Sequence, residues 1–407
     1  MEETILIVGA GQAGGRAAEA LRAGGFKGRV VLVGDESWRP YERPPLSKDV
    51  LLASDDAACF QGWLHEPAFY ETASIERIEG SVTRLDTKRR VAILGGAREL
   101  AYDKCLLATG GRARGLEGVP HGQRVVSLRT LDDAMRLRGL MAEARSVAVI
   151  GGGFLGLEFA ASARARGLNV TVFEAGSRLL ARAIPHTFSE MLRARHASNG
   201  VHIVFDAGSI QVVERDSAVA VTNGAGTLSF DFCVLAVGQQ PNEEIARESG
   251  IDVSNGILVD EYCRTSAPYV YAAGDCANFP LGESGRATRL ESWQNAQEQA
   301  IVAAKNMLGE WCAYRPTPWF WTDQYDWNIQ MLGVLDERID QWVAREGPDE
   351  KSMLIGLRAN VIVYALALNQ GGELRALRRL VEQGVPVNPA ALADTSIKLR
   401  QIERFAS

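Results

Sequence analysis

Two glycine runs, each entered from an apolar strand and followed by a helix-forming segment, are the residues of this 407-residue chain best suited to chemistry. The first is Gly9-Ala10-Gly11-Gln12-Ala13-Gly14, entered from Thr4 to Val8 and followed by a segment rich in Ala, Glu and Arg from Gly15 to Ala23. Gly9 allows a tight turn, Gly11 lets a pyrophosphate approach the backbone, and Gly14 lets helix pack on strand. Phosphates then meet free N–H groups at a helix N-terminus, where the dipole favours negative charge. Asp35, about twenty residues beyond Gly14 and at the end of a second apolar strand from Arg29 to Gly34, stands where a carboxylate meets ribose hydroxyls. The second run is Gly151-Gly152-Gly153-Phe154-Leu155-Gly156, between a strand from Val147 to Ile150 and a helix reaching about Arg166. A strand from Asn169 to Phe173 then closes on Glu174, again about twenty residues on. A merely tight turn, or helix–strand packing at Gly156 alone, explains single glycines. It does not explain strand, fingerprint, helix, strand and acid in order, twice, which implies two bound dinucleotides.

The elements that position these runs are legible to different degrees. Arg39 to Lys48 holds three prolines in six residues (Pro40, Pro44, Pro45), so it forms neither a regular helix nor a central strand. It reads either as a rigid surface loop in which Ser47 caps the next helix, or as a clamp holding Lys48 beside a bound ring system. Residues 53–80 say little. From Ser81 to Asp103 short strands alternate with turns, with Gly95-Gly96 as a hairpin, and Lys104 to Ala108 is a buried strand ending in Thr109-Gly110-Gly111. Thr130, with Asp133 three residues on, is an acidic capping box that starts a helix. Val201 to Phe205, Ile210 to Glu214 and Ala218 to Val221 read as a small antiparallel meander. The strand from Phe232 to Val237 runs into Gly238-Gln239-Gln240-Pro241-Asn242, a turn by composition. The strand from Val270 delivers Asp275 at its end, as a ligand or only as a cap for the following turn, and 293–308 reads as a helix. Beyond it, five of the eight tryptophans (311, 319, 321, 327, 342) fall close to Pro316 and Pro318, the mark of a separate α+β domain starting near 311.

Composition narrows the class. An apolar fraction of 46% and a charged fraction of 23% are those of an ordinary globule long enough for two or three domains. A net charge of −6 argues against a general nucleic-acid binder. Met-Glu-Glu followed at once by a core strand lacks the regions of a signal peptide, and the apolar run from Val361 to Leu368 is far too short to span a membrane. The six cysteines (59, 105, 233, 263, 276, 312) form no zinc knuckle, redox dithiol or iron–sulfur set, so no metal is expected and a reducing cytoplasm is the simplest reading.

With these pieces in place, the chain resembles the two-dinucleotide flavoproteins of glutathione-reductase type. Within them it is similar to the FAD-dependent ferredoxin reductases that serve Rieske dioxygenases and haem-thiolate monooxygenases, of the biphenyl dioxygenase and putidaredoxin reductase types. The likeness spans nearly the whole chain. It rests on Arg39 to Lys48, Leu107 to Gly110, Leu128-Arg129-Thr130, Ala272 to Asp275, Glu291-Ser292-Trp293, Trp319 to Gln324 and Asn388 to Asp394. The resemblance implies an α/β fold with two Rossmann-like domains, for FAD and NAD, plus a C-terminal α+β domain. The FAD domain would be discontinuous (1–107 and 236–310), with the NAD domain (108–235) inserted and the last domain at 311–407. For FAD the resemblance implies Gly9, Gly11, Ala13 and Gly14 at the pyrophosphate turn, and Asp35 and Glu36 near the ribose. It implies Arg43 and Lys48 in the flavin clamp, Val82 near the adenine, and Ala108, Thr109, Gly110 and Arg129 at the cofactor. Asp275 would take a ribityl hydroxyl and Trp293 would lie by the flavin ring. For NAD it implies Gly151, Gly153, Phe154, Leu155, Gly156, Glu158, Glu174, Arg182 and Gly238. Lys48 and Glu158 form a catalytic pair near flavin N5 in such enzymes, and Trp321 is either a second aromatic by the flavin or a core tryptophan.

Missing residues refine the branch. Lys48 to Leu52 carries no cysteine, no histidine follows His202, and Cys59 is too far along to match a single-cysteine peroxide reductase. Electrons without a thiol stop must leave the flavin for an external acceptor. The implied function is an NADH:ferredoxin oxidoreductase acting on a two-iron ferredoxin (Rieske-type, or plant- or adrenodoxin-like) in systems such as aromatic hydrocarbon catabolism, as a monomer or weak homodimer. The alternatives are a flavin- and NADH-binding redox switch of apoptosis-inducing-factor type, and an NADH:rubredoxin reductase. NADH should be preferred over NADPH because Glu174 would oppose a 2′-phosphate, with Arg178 and Arg182 softening the contrast. Residues 369–407 hold six basic side chains (Arg375, Arg378, Arg379, Lys398, Arg400, Arg404) against four acidic ones (Glu373, Glu382, Asp394, Glu403). Arg375, Arg378 and Arg379 share one helix face, which is either solvated or a docking patch for an acidic ferredoxin.

Overall fold

A computed structural model describes residues 2–53, 60–95, 98–282, 285–348 and 350–405. Cys59 and Gly96 lie outside the described residues, as do the side chains of Glu403 and Arg404. The chain divides into two compact units. One comprises Met1–Pro45, Phe60–Arg112 and Gln239–Pro316; the other comprises Leu46–Cys59, Ala113–Gly238 and Thr317–Ser407.

The first unit is built on a five-stranded parallel sheet in the order Val270–Ala272, Lys104–Leu107, Thr4–Val8, Arg29–Gly34, Ile75–Glu79. Its inner strands are continuous apolar runs buried on both faces (Ile5, Leu6, Ile7; Val30 to Val33; Cys105 to Leu107), which is the pattern of parallel strands between helical layers. Helix Gln12–Ala23 follows the first strand and packs beside helix Trp293–Met307 through small residues: Ala17, Ala18, Ala300, Ala303 and Ala304 are all fully buried. The first helix begins at Gln12, earlier than its composition suggests, because the last residues of the glycine run form its first turn. Ser292 caps the second, its hydroxyl accepting from Asn295 N at 3.1 Å. A three-stranded antiparallel sheet, Val82–Asp86, Val91–Leu94 and Arg98–Ala101, completes this unit's larger elements.

The second unit contains a matching parallel sheet, in the order Val201–Val204, Asn169–Phe173, Ser146–Ile150, Phe232–Leu235, Val125–Ser127. Helix Leu131–Glu143 starts on the expected capping box. Thr130 Oγ1 accepts from Asp133 N at 3.1 Å, and Asp133 Oδ2 accepts from Thr130 N at 2.9 Å. The 201–205 segment departs from expectation: Val201–Val204 is an edge of the parallel sheet and not part of a meander. Helix His186–Ser198 intervenes between it and Asn169–Phe173, so the connection is a crossover that returns the strand parallel. The meander is instead Gln211–Glu214, Val219–Asn223 and Gly226–Phe230. The stretch after Gly238 is likewise a short strand, Gln239–Pro241, and the turning is done by Gly238 at φ +106°.

The same unit carries a five-stranded antiparallel sheet, Trp319–Gln324, Trp327–Gly333, Val361–Leu368, Ser352–Arg358, Gln341–Glu346. Helix Gly371–Gln383 covers it with Leu374, Leu377 and Leu380, an i, i+3, i+6 stripe. Helix Phe154–Ala165, helix His186–Ser198 and the loop before the latter share an apolar cluster with this sheet: Leu157, Leu179, Phe188 and Leu192 join Ile329, Met331 and Tyr364. The Tyr364 hydroxyl fixes the contact by donating to Ala183 O at 2.8 Å.

Candidate functional site

The two glycine runs fold into the same cradle, one in each unit. Gly9 and Gly151 sit at φ +110° and +109°, the left-handed region that glycine enters without steric cost. A Cβ on Gly9 would lie 2.1 Å from Ala108 O, and one on Gly151 would lie 2.4 Å from Ala236 O. A Cβ on Gly14 would meet Gly9 O at 1.8 Å, and one on Gly156 would meet Gly151 O at 2.1 Å. The outer glycines of each run are therefore required by the fold itself.

The middle glycines are not. A Cβ on Gly11 has Arg43 Nη2 as its nearest neighbour, at 3.8 Å, and a Cβ on Gly153 has nothing within 4 Å. Both are N-caps in extended backbone with no side-chain cap bond, so no side chain of the cap residue covers the first amides of either helix. In the first cradle the Gln12 side chain is buried, yet neither Nε2 nor Oε1 has a partner. An open glycine side, uncapped amides and an orphaned buried amide together fit a pyrophosphate with a polar neighbour.

Around the first cradle the unit gathers most of the expected FAD residues. Glu36 accepts from the Tyr41 hydroxyl at 2.5 Å and from Arg43 Nη2 at 2.8 Å, while Asp35 is exposed at the strand end. Gly274 packs onto the fingerprint helix, since a Cβ there would lie 2.9 Å from the Ala13 Cβ. This brings Asp275 to the cradle, and its Oδ2 accepts from Gln239 Nε2 at 3.0 Å. Ala108, Thr109 and Gly110 follow the neighbouring strand and are latched by Asn242: Thr109 Oγ1 donates to Asn242 O at 2.6 Å, and Asn242 N donates to Gly110 O at 3.0 Å. Val82 heads an antiparallel strand and Trp293 heads its helix.

In the second unit the acid beyond the second cradle is tied to nearby backbone amides through both oxygens. Glu174 Oε2 accepts from Gly152 N and Oε1 from Gly176 N, both at 2.7 Å. Gly238, beside the cradle's Ala236 in sequence, leaves its side open. Arg182 is exposed, and Arg178 spends its guanidinium on the Ile184 and Ala181 carbonyls at 2.9 and 2.6 Å. The Phe154 ring meets Phe320 at a tilt of 50°, centroids 4.5 Å apart, and Leu155 follows in the first turn. Arg129 precedes the capping box, its N–H held by Asp133 Oδ2 at 2.9 Å.

Lys48 and Glu158 come together in this unit, with Nζ 2.8 Å from Oε2. The segment carrying Lys48 lies along helix Phe154–Ala165 and its C-cap: Ser47 O accepts from Ser162 Oγ at 2.7 Å and Leu51 O from Arg166 Nη1 at 2.7 Å. Glu158, Ser162 and Arg166 are four residues apart, a polar stripe on one helix face. Ser47 is not a helix cap. Lys48 occupies that position without a side-chain bond, and the Ser47 hydroxyl donates to Glu158 Oε2 at 2.5 Å because the buried carboxylate is the stronger acceptor. Thr322 Oγ1 donates to the other oxygen at 2.7 Å. Neither partner was foreseen. The signal available was Thr322 and Gln324, two polar residues at strand period on a face that turned out buried. Trp321 points to the opposite face of that strand, where Trp319 stacks on it at 4.9 Å.

The described cysteines hold no redox pair. All five are free thiols. Burial pushes Cys233 up to about 12 and raises Cys105, Cys263 and Cys276 as well, so these four are inert at neutral pH. Among the described residues no group of three His, Cys, Asp or Glu could hold a metal ion, and no helix is long and apolar enough to cross a membrane.

Paired cradles, each closed by an acid at the next strand, define a two-dinucleotide oxidoreductase, and comparison with known proteins agrees. The chain belongs to the pyridine nucleotide-disulphide oxidoreductase family, whose model matches residues 3–300, and it works with FAD and NAD(H). A second model, described as reductase C-terminal, matches residues 319–403. Among similar solved structures, the ferredoxin reductase for the CYP199A2 system from Rhodopseudomonas palustris shares 34% identity, with 99% of this chain and 100% of that one covered and a TM-score of 0.92. Putidaredoxin reductase, solved in covalent complex with putidaredoxin, shares 33% identity over 99% of each chain at a TM-score of 0.91. The NADH:rubredoxin oxidoreductase from Clostridium acetobutylicum, at 22% identity, 95% and 96% coverage and a TM-score of 0.75, shares the fold.

Proposed function

We propose that the protein is an NADH:ferredoxin oxidoreductase. The first cradle holds FAD, the second holds NADH, and electrons pass singly to a small two-iron ferredoxin that feeds an oxygenase. The observation that carries this reading is the pair of open cradles combined with the four buried, inert thiols: two dinucleotides are provided for, and the described cysteines form no disulfide. FAD supplies the step from two-electron acceptance to one-electron donation. The chain's own residues bind and orient. The amides after Gly11 and Gly153 take the pyrophosphates, Asp35 and Glu36 serve the FAD ribose, and Glu174 serves the nicotinamide nucleotide's ribose. Asp275 and Arg43 hold the ribityl and flavin ends, with Val82 and Trp293 in the same unit, and Arg129 is assigned to the cofactor by the resemblance. Lys48, held by Glu158, is read as the ammonium that serves hydride transfer, and Trp321 as its aromatic companion. No general base is needed, because hydride leaves with its own electrons.

The acceptor is read as an acidic ferredoxin docking near Arg375, Arg378 and Arg379. Arg375 and Arg379 are exposed on helix Gly371–Gln383, and Arg378 is paired with Glu382 at 2.8 Å. We further read the protein as cytoplasmic, in keeping with its free thiols, as a monomer or weak homodimer, and as three domains divided at about 107, 235 and 310. Anaerobic titration with NADH, followed by mixing with purified two-iron ferredoxins and rubredoxin, tests the function. Stoichiometric flavin bleaching by NADH and fast re-oxidation by a two-iron ferredoxin are expected. Bleaching without re-oxidation by any ferredoxin would overturn the reading.

A further inference from the structure

Glu158 is the end of a hydrogen-bonded chain that runs well beyond Lys48. Thr322 Oγ1 lies 2.7 Å from Glu158 Oε1, Gln324 Nε2 lies 3.1 Å from Thr322 Oγ1, and Gln324 Oε1 lies 2.7 Å from His196 Nε2. Tyr325 Oη lies 3.0 Å from His196 Nδ1. Glu158 is 8% exposed, Gln324 is 1%, and Thr322 and His196 are 0%. The members come from helix Phe154–Ala165, strand Trp319–Gln324 with the turn after it, and helix His186–Ser198, all of the second unit.

Donors and acceptors along this chain can be assigned from the carboxylate outward. A carboxylate paired with Lys48 only accepts, so Thr322 must donate to it. The threonine oxygen is then left to accept, so Gln324 must turn its amide N–H₂ toward Thr322 and its carbonyl toward His196. A carbonyl accepts, so His196 carries its proton on Nε2, and bare Nδ1 takes the Tyr325 proton. Every donor points the same way, toward Glu158. An amide inside such a chain does not pass protons readily, so the chain orients and polarises; it is not a proton wire.

We propose that His196, acting through Gln324 and Thr322, is a positioning residue for the Glu158–Lys48 pair. Its neutral Nε2–H tautomer sets the direction of every bond that ends on the carboxylate. Burial draws the imidazole down to about 4, with the Gln324 bond opposing, and pushes the Tyr325 phenol up to about 12, so the neutral state holds through the working pH range. The charged groups that bear on Tyr325 at this end are Arg164 and Arg195, and Arg195 is itself paired with Asp326. The inference rests on the reading of Lys48 and Glu158 as the hydride-site pair.

Two measurements test it. Imidazole ¹⁵N spectra of the FAD-loaded protein should show one of its five histidines, missing in a His196→Gln sample, as a neutral Nε2–H tautomer. A Nδ1–H tautomer there overturns the assignment whatever the variants do. Stopped-flow reduction of the flavin by NADH then probes the coupling. His196→Phe and Gln324→Met should slow the limiting rate roughly three- to tenfold with FAD content unchanged. His196→Gln, whose amide N–H reaches the place of Nε2–H, should stay within about twofold of the parent, while His196→Asn should not. In a Glu158→Gln background His196→Phe should have no further effect. Equal slowing in both backgrounds would mean a structural role only and would sink the proposal. A Glu158→Gln rate equal to the parent's would instead sink the reading of the pair itself.

Discussion

Replacing Gly153 by alanine separates what the second cradle does for the fold from what it does for a ligand. The residue lies at φ −79° and ψ −179°, backbone that alanine adopts without strain, and its new Cβ would have no protein atom within 4 Å. Stability should barely move. Loss of glycine's unfolded-state freedom contributes about 0.4–1 kcal/mol in favour of folding, and alanine's poor standing as an N-cap takes back a similar amount. A bound pyrophosphate, by contrast, would meet that methyl group at close range. Overpacking of this kind costs about 1–3 kcal/mol, so the Kd for NADH should rise roughly five- to 150-fold. Gly156→Ala is the control of opposite sign: its Cβ would lie 2.1 Å from the Gly151 carbonyl, so the second unit should lose stability outright. The assay is NADH binding by anaerobic stopped flow, with FAD absorbance and thermal melting measured on the same samples. A Gly153→Ala protein that melts normally and binds NADH as tightly as the parent would refute the assignment of the cradle.

Four further outcomes follow from the same structure. NADH should be preferred over NADPH, and Glu174→Ala should narrow the difference in kcat/KM by about 1–3 kcal/mol, the scale of a lost charged hydrogen bond; a parent that favours NADPH refutes this. His196, drawn down to about 4 from 6.5, binds a proton more readily in the unfolded chain, so its contribution is whole above 6.5 and fades as pH falls toward 4; the parent should lose roughly 3 kcal/mol more than His196→Gln over that window by urea denaturation, and parallel pH slopes would count against it. Turnover should survive replacement of all six cysteines by alanine apart from packing losses at the buried ones; loss of activity from one such change at normal FAD content breaks the thiol-free reading. Neutralising Arg375, Arg378 and Arg379 to glutamine should leave flavin reduction by NADH unchanged while slowing ferredoxin reduction and flattening its salt dependence; identical salt slopes would move the docking surface elsewhere.

What the sequence disclosed was local. The Thr130–Asp133 capping box depends on residues within one turn of each other and makes both of its expected bonds, and the outer glycines of each fingerprint stand where turn and packing admit no side chain. Strand direction was less legible. The run from Val201 to Phe205 reads as antiparallel because a strand this short looks the same either way; only the helix before it, joined to its partner's register, decides. Gly226–Phe230 goes unread although Thr227 to Phe230 alternate, because the run is only four residues long and opens on a glycine. The bonds on Glu158 were invisible for another reason. Ser47 lies 111 residues away and Thr322 lies 164 residues away, and no periodicity connects them. Ser47 beside a proline run looked like a cap because caps are what serines usually do at helix starts; the buried carboxylate outbid the helix.

The segment order of the two units bears on how the protein can be made. Neither unit is a contiguous stretch of chain: residues 46–59 leave the first unit and residues 239–316 return to it. In the parallel sheet of the first unit, Val270–Ala272 is the outer neighbour of Lys104–Leu107, so during synthesis that buried strand keeps an open edge for more than 150 residues of elongation. In the other parallel sheet, Val125–Ser127 pairs only with Phe232–Leu235, and so it leaves the ribosome about a hundred residues before its partner. Unpaired edges of buried, apolar strands are what chaperones recognise and what drives misassembly. Both parallel sheets therefore close late, and nascent chains stalled before residue 232 should be protease-sensitive in both.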